Sequence, residues 1–136
     1  MKKIEWKVQY ATGVSKIDEQ HAYLFDLVNQ LAHAMANEKF STVVGGILEE
    51  LHNYTRTHFT YEESLLEKAS YADLAEHRKK HARMKEQLEL FSRQFRDGSL
   101  YPEAFCLFLE DWLTIHILTD DLKYAPALRG KLSHDI

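Results

Sequence analysis

The chain has 136 residues, 45% of them hydrophobic, which is one domain's length with enough apolar content for a core of its own. Lys and Arg total 17 against 21 Asp and Glu, and the resulting formal charge of −4 leaves no basic footprint for nucleic acid or for an anionic membrane surface. Cys106 is the single cysteine, so an intrachain disulfide is excluded; with no signal-peptide core and no run of about 18 apolar residues, a cytoplasmic protein without a membrane span is expected.

Residues 1–16 show neither a helical nor a strand period, and an extended N-terminal arm is expected there, tacked down by Trp6 and Tyr10. From Ile17 to about Ala36 the apolar residues Ile17, Leu24, Phe25, Val28, Leu31, Ala32 and Met35 recur at threes and fours, which predicts a first helix opened by Ser15 or Asp18. His21 lies on its buried stripe and His33 lies off it. After a short polar connection, Ser41 is placed to cap a second helix over 41–69, whose stripe runs Val44, Ile47, Leu48, Leu51, Tyr54, Thr55, His58, Glu62, Leu65. His52 falls outside that stripe. The Gly45-Gly46 pair costs about 2 kcal/mol of helix propensity relative to alanine, and marks either close helix packing or a local distortion.

Ser70-Tyr71-Ala72-Asp73 reads as a capping box with Asp in the last place, opening a third helix over 71–96. Leu74, His77, His81, Met84, Leu88, Phe91 and Phe95 form its seam. Gly98 is placed to end it, and Pro102 to start a fourth helix over 102–122 with Phe105, Phe108, Leu109, Trp112, Leu113 and His116 facing inward. The tail, carrying Pro126 and Gly130, is expected to be loosely ordered, which makes His134 the poorest ligand candidate. Four amphipathic segments with short connections and no strand pattern predict an all-α, up-down-up-down four-helix bundle as a single domain over 1–136.

Of the eight histidines, five fall on inward stripes: His21, His58, His77, His81 and His116. His58 with Glu62, and His77 with His81, are four apart and share a helix face. Burying five titratable rings without a cation to satisfy them is costly. Imidazole nitrogens with a carboxylate suit iron, zinc or manganese, whereas calcium and magnesium prefer an all-oxygen set.

The run Gly13-Val14-Ser15-Lys16-Ile17-Asp18-Glu19-Gln20-His21, then Leu24-Phe25, His58-Phe59 with Glu62, His77 with His81, and His116-Ile117 with Asp121 resemble the hemerythrin family, most of all its single-domain bacterial members, the bacteriohemerythrins. The resemblance runs from Trp6 to about Tyr124 and fills all seven ligand positions of the motif. It implies one iron on His77, His81 and His116 and another on His21 and His58, with Glu62, Asp121 and an oxo or hydroxo group bridging them. The second iron is then one ligand short, and the family binds O2 there. Leu24, Phe59, Trp112, Leu113 and Ile117 match the apolar O2 pocket. Spacing by itself favours Asp120, four after His116, because Asp121 at five lies about 140° around an ideal α-helix; the family's choice of Asp121 requires a π-type widening or an unwound last turn.

What the resemblance implies is reversible O2 binding for storage or transport, without turnover, with NO and azide as other ligands of the same position. A ferritin-like oxygenase would draw on Glu-x-x-His pairs from two helices, and Glu49 with His52, off the stripe, is the only one. A zinc hydrolase of the His-Glu-x-x-His type is disfavoured by Arg78 after His77. The remaining alternative is a sensory or interaction module that reports O2, NO or iron to a partner protein. A chain with no fused output domain is expected to store or carry O2 instead.

Overall fold

The computed structural model describes residues 5–132, which form an up-down-up-down four-helix bundle with no strand among them. Helix α1 is Ser15–Ala36, α2 is Phe40–Lys68, α3 is Leu74–Asp97, and α4 is Pro102–Ile115. A π turn over His116–Asp121 carries α4 without a break into α5, Leu122–Leu132. No helix among the described residues is long and apolar enough to cross a membrane. The first four residues of the arm and His134 lie outside the described range.

The arm is fastened by Asp18, whose Oδ1 accepts the Thr12 N–H at 2.7 Å and the Thr12 hydroxyl at 2.8 Å. Gly13, at φ 88°, makes the bend that a β-carbon would strain. Trp6 and Tyr10 then reach the Phe25 ring, at centroid separations of 5.8 and 5.5 Å.

Two expected N-caps are not realised. Helix α2 begins at Phe40, without a side-chain cap from Ser41, and α3 begins at Leu74 instead of 71. Ser70 adopts a left-handed φ of 55° and ends α2: its N–H donates to the Glu67 carbonyl and the Tyr71 N–H to the Leu66 carbonyl, each at 3.0 Å. That is the Schellman closure, which satisfies the last carbonyls of one helix and leaves Ser70 unable to cap the next. Gly98 closes α3 the same way, with Gly98 N–H on Phe95 and Ser99 N–H on Gln94.

The glycine pair resolves into two different cases. A β-carbon on Gly45 would meet the Phe95 ring at 3.0 Å, so this residue is a site of close helix packing, whereas one on Gly46 would meet nothing within 4 Å. Gly46→Ala is therefore expected to stabilise the protein by about 1 kcal/mol through helix propensity, read as a higher urea midpoint at unchanged slope; Gly45→Ala gains less, because Phe95 must shift.

The expected loose tail is helical instead. Tyr124, Ala125 and Leu128 are buried, and Tyr124 and Leu128 pack on Ile17, Leu65 and Leu66, so apolar burial outweighs Pro126 inside the helix. This small cluster lies on one side of the histidine layer. The main core, with Leu24, Phe25, Leu31, Leu51, Phe59, Leu88, Phe105 and Leu109, lies on the other.

Candidate metal centre

Two groups of buried donors meet between those clusters: Glu62, His77, His81 and His116 in one, and His21, His58, Glu62 and Asp121 in the other. Within each group the potential ligand atoms all lie within 4.8 Å of one another. Every helix of the bundle contributes, α1 through His21, α2 through His58 and Glu62, α3 through His77 and His81, and the π turn through His116 and Asp121. The bundle thus brings together all seven residues that the resemblance singled out, while His33 and His52 bond elsewhere, to Asn37 and Ser92.

The two shared carboxylates are arranged alike. Glu62 turns Oε1 toward His77 Nε2 (2.6 Å) and His81 Nε2 (3.1 Å), and Oε2 toward His58 Nε2 (3.3 Å) and His21 Nε2 (3.5 Å). Asp121 places Oδ1 3.1 Å from His116 Nε2 and 3.2 Å from His77 Nε2, and Oδ2 3.0 Å from His21 Nε2. Each carboxylate therefore presents one oxygen to each half. Asp121 reaches this place because a π turn closes i to i+5, so that the residue five after His116 returns to its face. Asp120 also turns toward His116, but to its outer edge, accepting from Nδ1 at 2.9 Å.

The donor set fits a cation pair by its own unmet needs. His21 Nδ1 and Nε2, His81 Nε2, His116 Nε2 and both Asp121 oxygens are buried without a hydrogen-bond partner among the described residues, despite the short separations. An orphaned buried polar atom costs about 1–3 kcal/mol, and five of these six face the space that the two groups enclose.

Three outward nitrogens are satisfied by residues whose part here the sequence did not reveal. His58 Nδ1 donates to Gln20 Oε1 at 2.6 Å, His81 Nδ1 to Glu63 Oε2 at 2.7 Å, and His116 Nδ1 to Asp120. Tyr124, another residue the sequence did not mark, donates its hydroxyl to Glu62 Oε2 at 2.8 Å. Gln20 and Tyr124 reach their partners across helices, where linear spacing carries no signal.

Without a cation the cluster holds protons. Burial disfavours charge on His21, His77 and His116, yet the surrounding Asp121 and Glu62, with Asp120 at His116, lift His21 and His77 to about 9 and His116 to about 10. Against the same burial penalty, the histidines hold Glu62 and Asp121 well below the usual carboxylate range. His58 goes the other way, lowered by burial. An imidazolium has no lone pair to offer, so metal must displace these protons, and affinity rises with pH until the three rings are neutral. Titrating metal-free protein with zinc in weak buffer at pH 7 should release protons, and affinity should climb steadily from pH 6 to pH 9; a flat profile would contradict the cluster's charge state.

Apolar side chains wall the donors. Phe59 stacks on His81 with centroids 3.8 Å apart and planes within 6°, and Trp112 stacks on His116 at 4.5 Å and 15°. Leu24, Leu113 and Ile117 are buried beside them. A small cavity of about 10 Å³ lies among Leu24, Val28, Leu51, Thr55, Met84, Leu109, Trp112 and Leu113. Of the five pocket candidates, Leu24, Trp112 and Leu113 line that cavity, while Phe59 and Ile117 do not.

A family model described as the hemerythrin HHE cation binding domain matches residues 12–128. The chain is 31% identical to a bacteriohemerythrin of Pseudomonas aeruginosa (strain LESB58), over 98% of this chain and 86% of the relative. It is 32% identical to that of Methylococcus capsulatus (strain ATCC 33009 / NCIMB 11132 / Bath), over 88% and 92%. A crystal structure of wild-type hemerythrin superposes with a TM-score of 0.83 at 31% identity, covering 92% of this chain and 97% of the other.

Proposed function

Since this chain belongs to the hemerythrin family, a di-iron, O2-binding type of domain, we propose that it binds O2 reversibly, for storage or transport, with no turnover. The observation that carries this reading is the pair of buried donor groups that share Glu62, with Asp121 of one group turning its other oxygen toward His116 and His77 of the second.

His77, His81 and His116 would hold one iron and His21 and His58 the other, with Glu62 and Asp121 common to both and an oxo or hydroxo group completing the bridge. When bound, the iron pair supplies the electrons and the open coordination position at which O2 is taken up. With three histidines against two, the His21 and His58 half would be the one to keep a position open. NO and azide are ligands of the same position.

The protein's own residues act around that position. Glu62 is kept in place by the Tyr124 hydroxyl, and His58, His81 and His116 are held with Nε2 inward by Gln20, Glu63 and Asp120. Phe59, Trp112, Leu113, Leu24 and Ile117 keep water and protons from the donors, and the small cavity is about the size of a single water molecule, too small for an ordinary substrate.

The test is a metal count and optical spectrum of the aerobically purified protein. About two irons per chain, near-ultraviolet bands of a bridged ferric pair, and a visible band that appears with O2 on the ferrous form or azide on the ferric form are expected. One tightly bound zinc with no iron uptake, or iron whose spectrum ignores both ligands, would refute the reading and favour a closed structural site.

A further inference from the structure

Every cluster histidine turns Nε2 inward, so the two halves differ in what meets the outer nitrogens. On the three-histidine side His81 and His116 each donate Nδ1–H to a carboxylate, Glu63 and Asp120. A cation from α3 backs each carboxylate: Arg78 Nε lies 3.3 Å from Glu63 Oε1, and Lys80 Nζ hydrogen-bonds Asp120 Oδ1. On the two-histidine side His58 meets only the neutral Gln20 amide, and His21 Nδ1 has no partner among the described residues.

The Lys80–Asp120–His116 chain is the more telling of the two relays. His116 is 4% exposed, while Lys80 is 40% exposed, so the chain runs from solvent to the buried ring. Lys80, Asp120 and His116 all line one open groove of about 840 Å³ between α3 and α4. An exposed Lys–Asp pair by itself contributes little to stability. The π turn, however, gives Asp120 a second use. By bringing Asp121 to the inner nitrogen it leaves Asp120 at the outer one, so consecutive carboxylates face the two nitrogens of one ring.

Resting on the di-iron reading above, we propose that Asp120, backed by Lys80, is a positioning residue that sets how strongly His116 donates to its metal. A carboxylate accepting Nδ1–H fixes the tautomer that leaves the Nε2 lone pair free, and it pushes the ring toward imidazolate, a stronger donor that favours the ferric over the ferrous ion. Lys80 moderates the effect by neutralising part of the carboxylate's charge. The two steps predict opposite signs: weakening Asp120 raises the reduction potential of the centre, and removing Lys80 lowers it.

The experiment uses the full chain as wild type, Asp120→Ala, Asp120→Asn and Lys80→Met. Metal-free protein is titrated with cobalt(II) alone, followed by its visible absorption, and the reduction potential of iron-loaded protein is measured spectroelectrochemically. Expected are cobalt binding weaker by about 10- to 100-fold in Asp120→Ala, a smaller loss in Asp120→Asn with a raised potential, and a lowered potential in Lys80→Met. Asp120→Asn keeps shape and an acceptor oxygen, so it reports on charge even if Asp120→Ala folds poorly. A merely structural pair would leave the potential unmoved. Wild type that takes up two cobalt ions, together with variants matching it in affinity and potential, overturns this proposal alone; wild type that fails to take up two ions overturns the di-iron reading and the proposal with it.

Discussion

Asp121→Ala is expected to lose the iron pair, with affinity reduced by more than roughly 100-fold, beyond the range for removing an outer partner of a ligand. Asp121 is fully buried and turns an oxygen to each donor group, so its loss removes one donor from both halves at once. It also takes away negative charge that keeps His21, His77 and His116 charged in the metal-free state. Metal-free Asp121→Ala should nonetheless stay helical by far-ultraviolet circular dichroism, because neither apolar cluster includes this residue. Iron content and spectrum measured beside the wild type decide it: a variant that keeps two irons and an unchanged spectrum would remove Asp121 from the centre.

Phe59→Ala should cost about 3–5 kcal/mol of stability in the metal-free protein, the range for deleting a buried aromatic ring. Phe59 is fully buried, stacks face to face on His81 and lies 5.7 Å from Trp112, so the void would open against both the core and a proposed ligand. Urea unfolding of the metal-free variant measures the first effect. In iron-loaded protein, water entering the void should speed oxidation of the ferrous form, followed by its optical spectrum. A loss below about 1 kcal/mol with unchanged oxidation would mean that the neighbouring side chains collapse into the space.

How much of this was legible in the chain depends on how far each signal travels along it. The stripes through Leu24, Leu31, Leu48, Leu51, Leu88 and Leu109 repeat with the helix period, and all six residues are buried in one core. His58 with Glu62 and His77 with His81 carry the same local signal, because residues four apart share a face whatever the rest of the chain does. Helix ends were less legible: Ser41 and Ser70 have the composition of N-caps, but a cap is decided by one residue's backbone conformation, and Ser70 took the left-handed one that ends α2. The tail was misread because Pro126 and Gly130 are local signals, whereas the burial of Tyr124 and Leu128 against Ile17, Leu65 and Leu66 is not.

The contest between Asp120 and Asp121 shows the same division within one turn. Ideal α spacing points to Asp120 and resemblance to Asp121; the π turn gives each a different nitrogen of His116, the outer to Asp120 and the inner to Asp121. By itself the sequence determined an all-α bundle and five inward histidines, since both follow from a period that each helix writes into its own residues. Only the tertiary structure decided that Glu62 and Asp121 each face both donor groups, and that Gln20, Glu63 and Tyr124 serve the cluster. Those contacts join residues 15 to 62 positions apart, and no helical period relates residues on different helices until the bundle has packed them together.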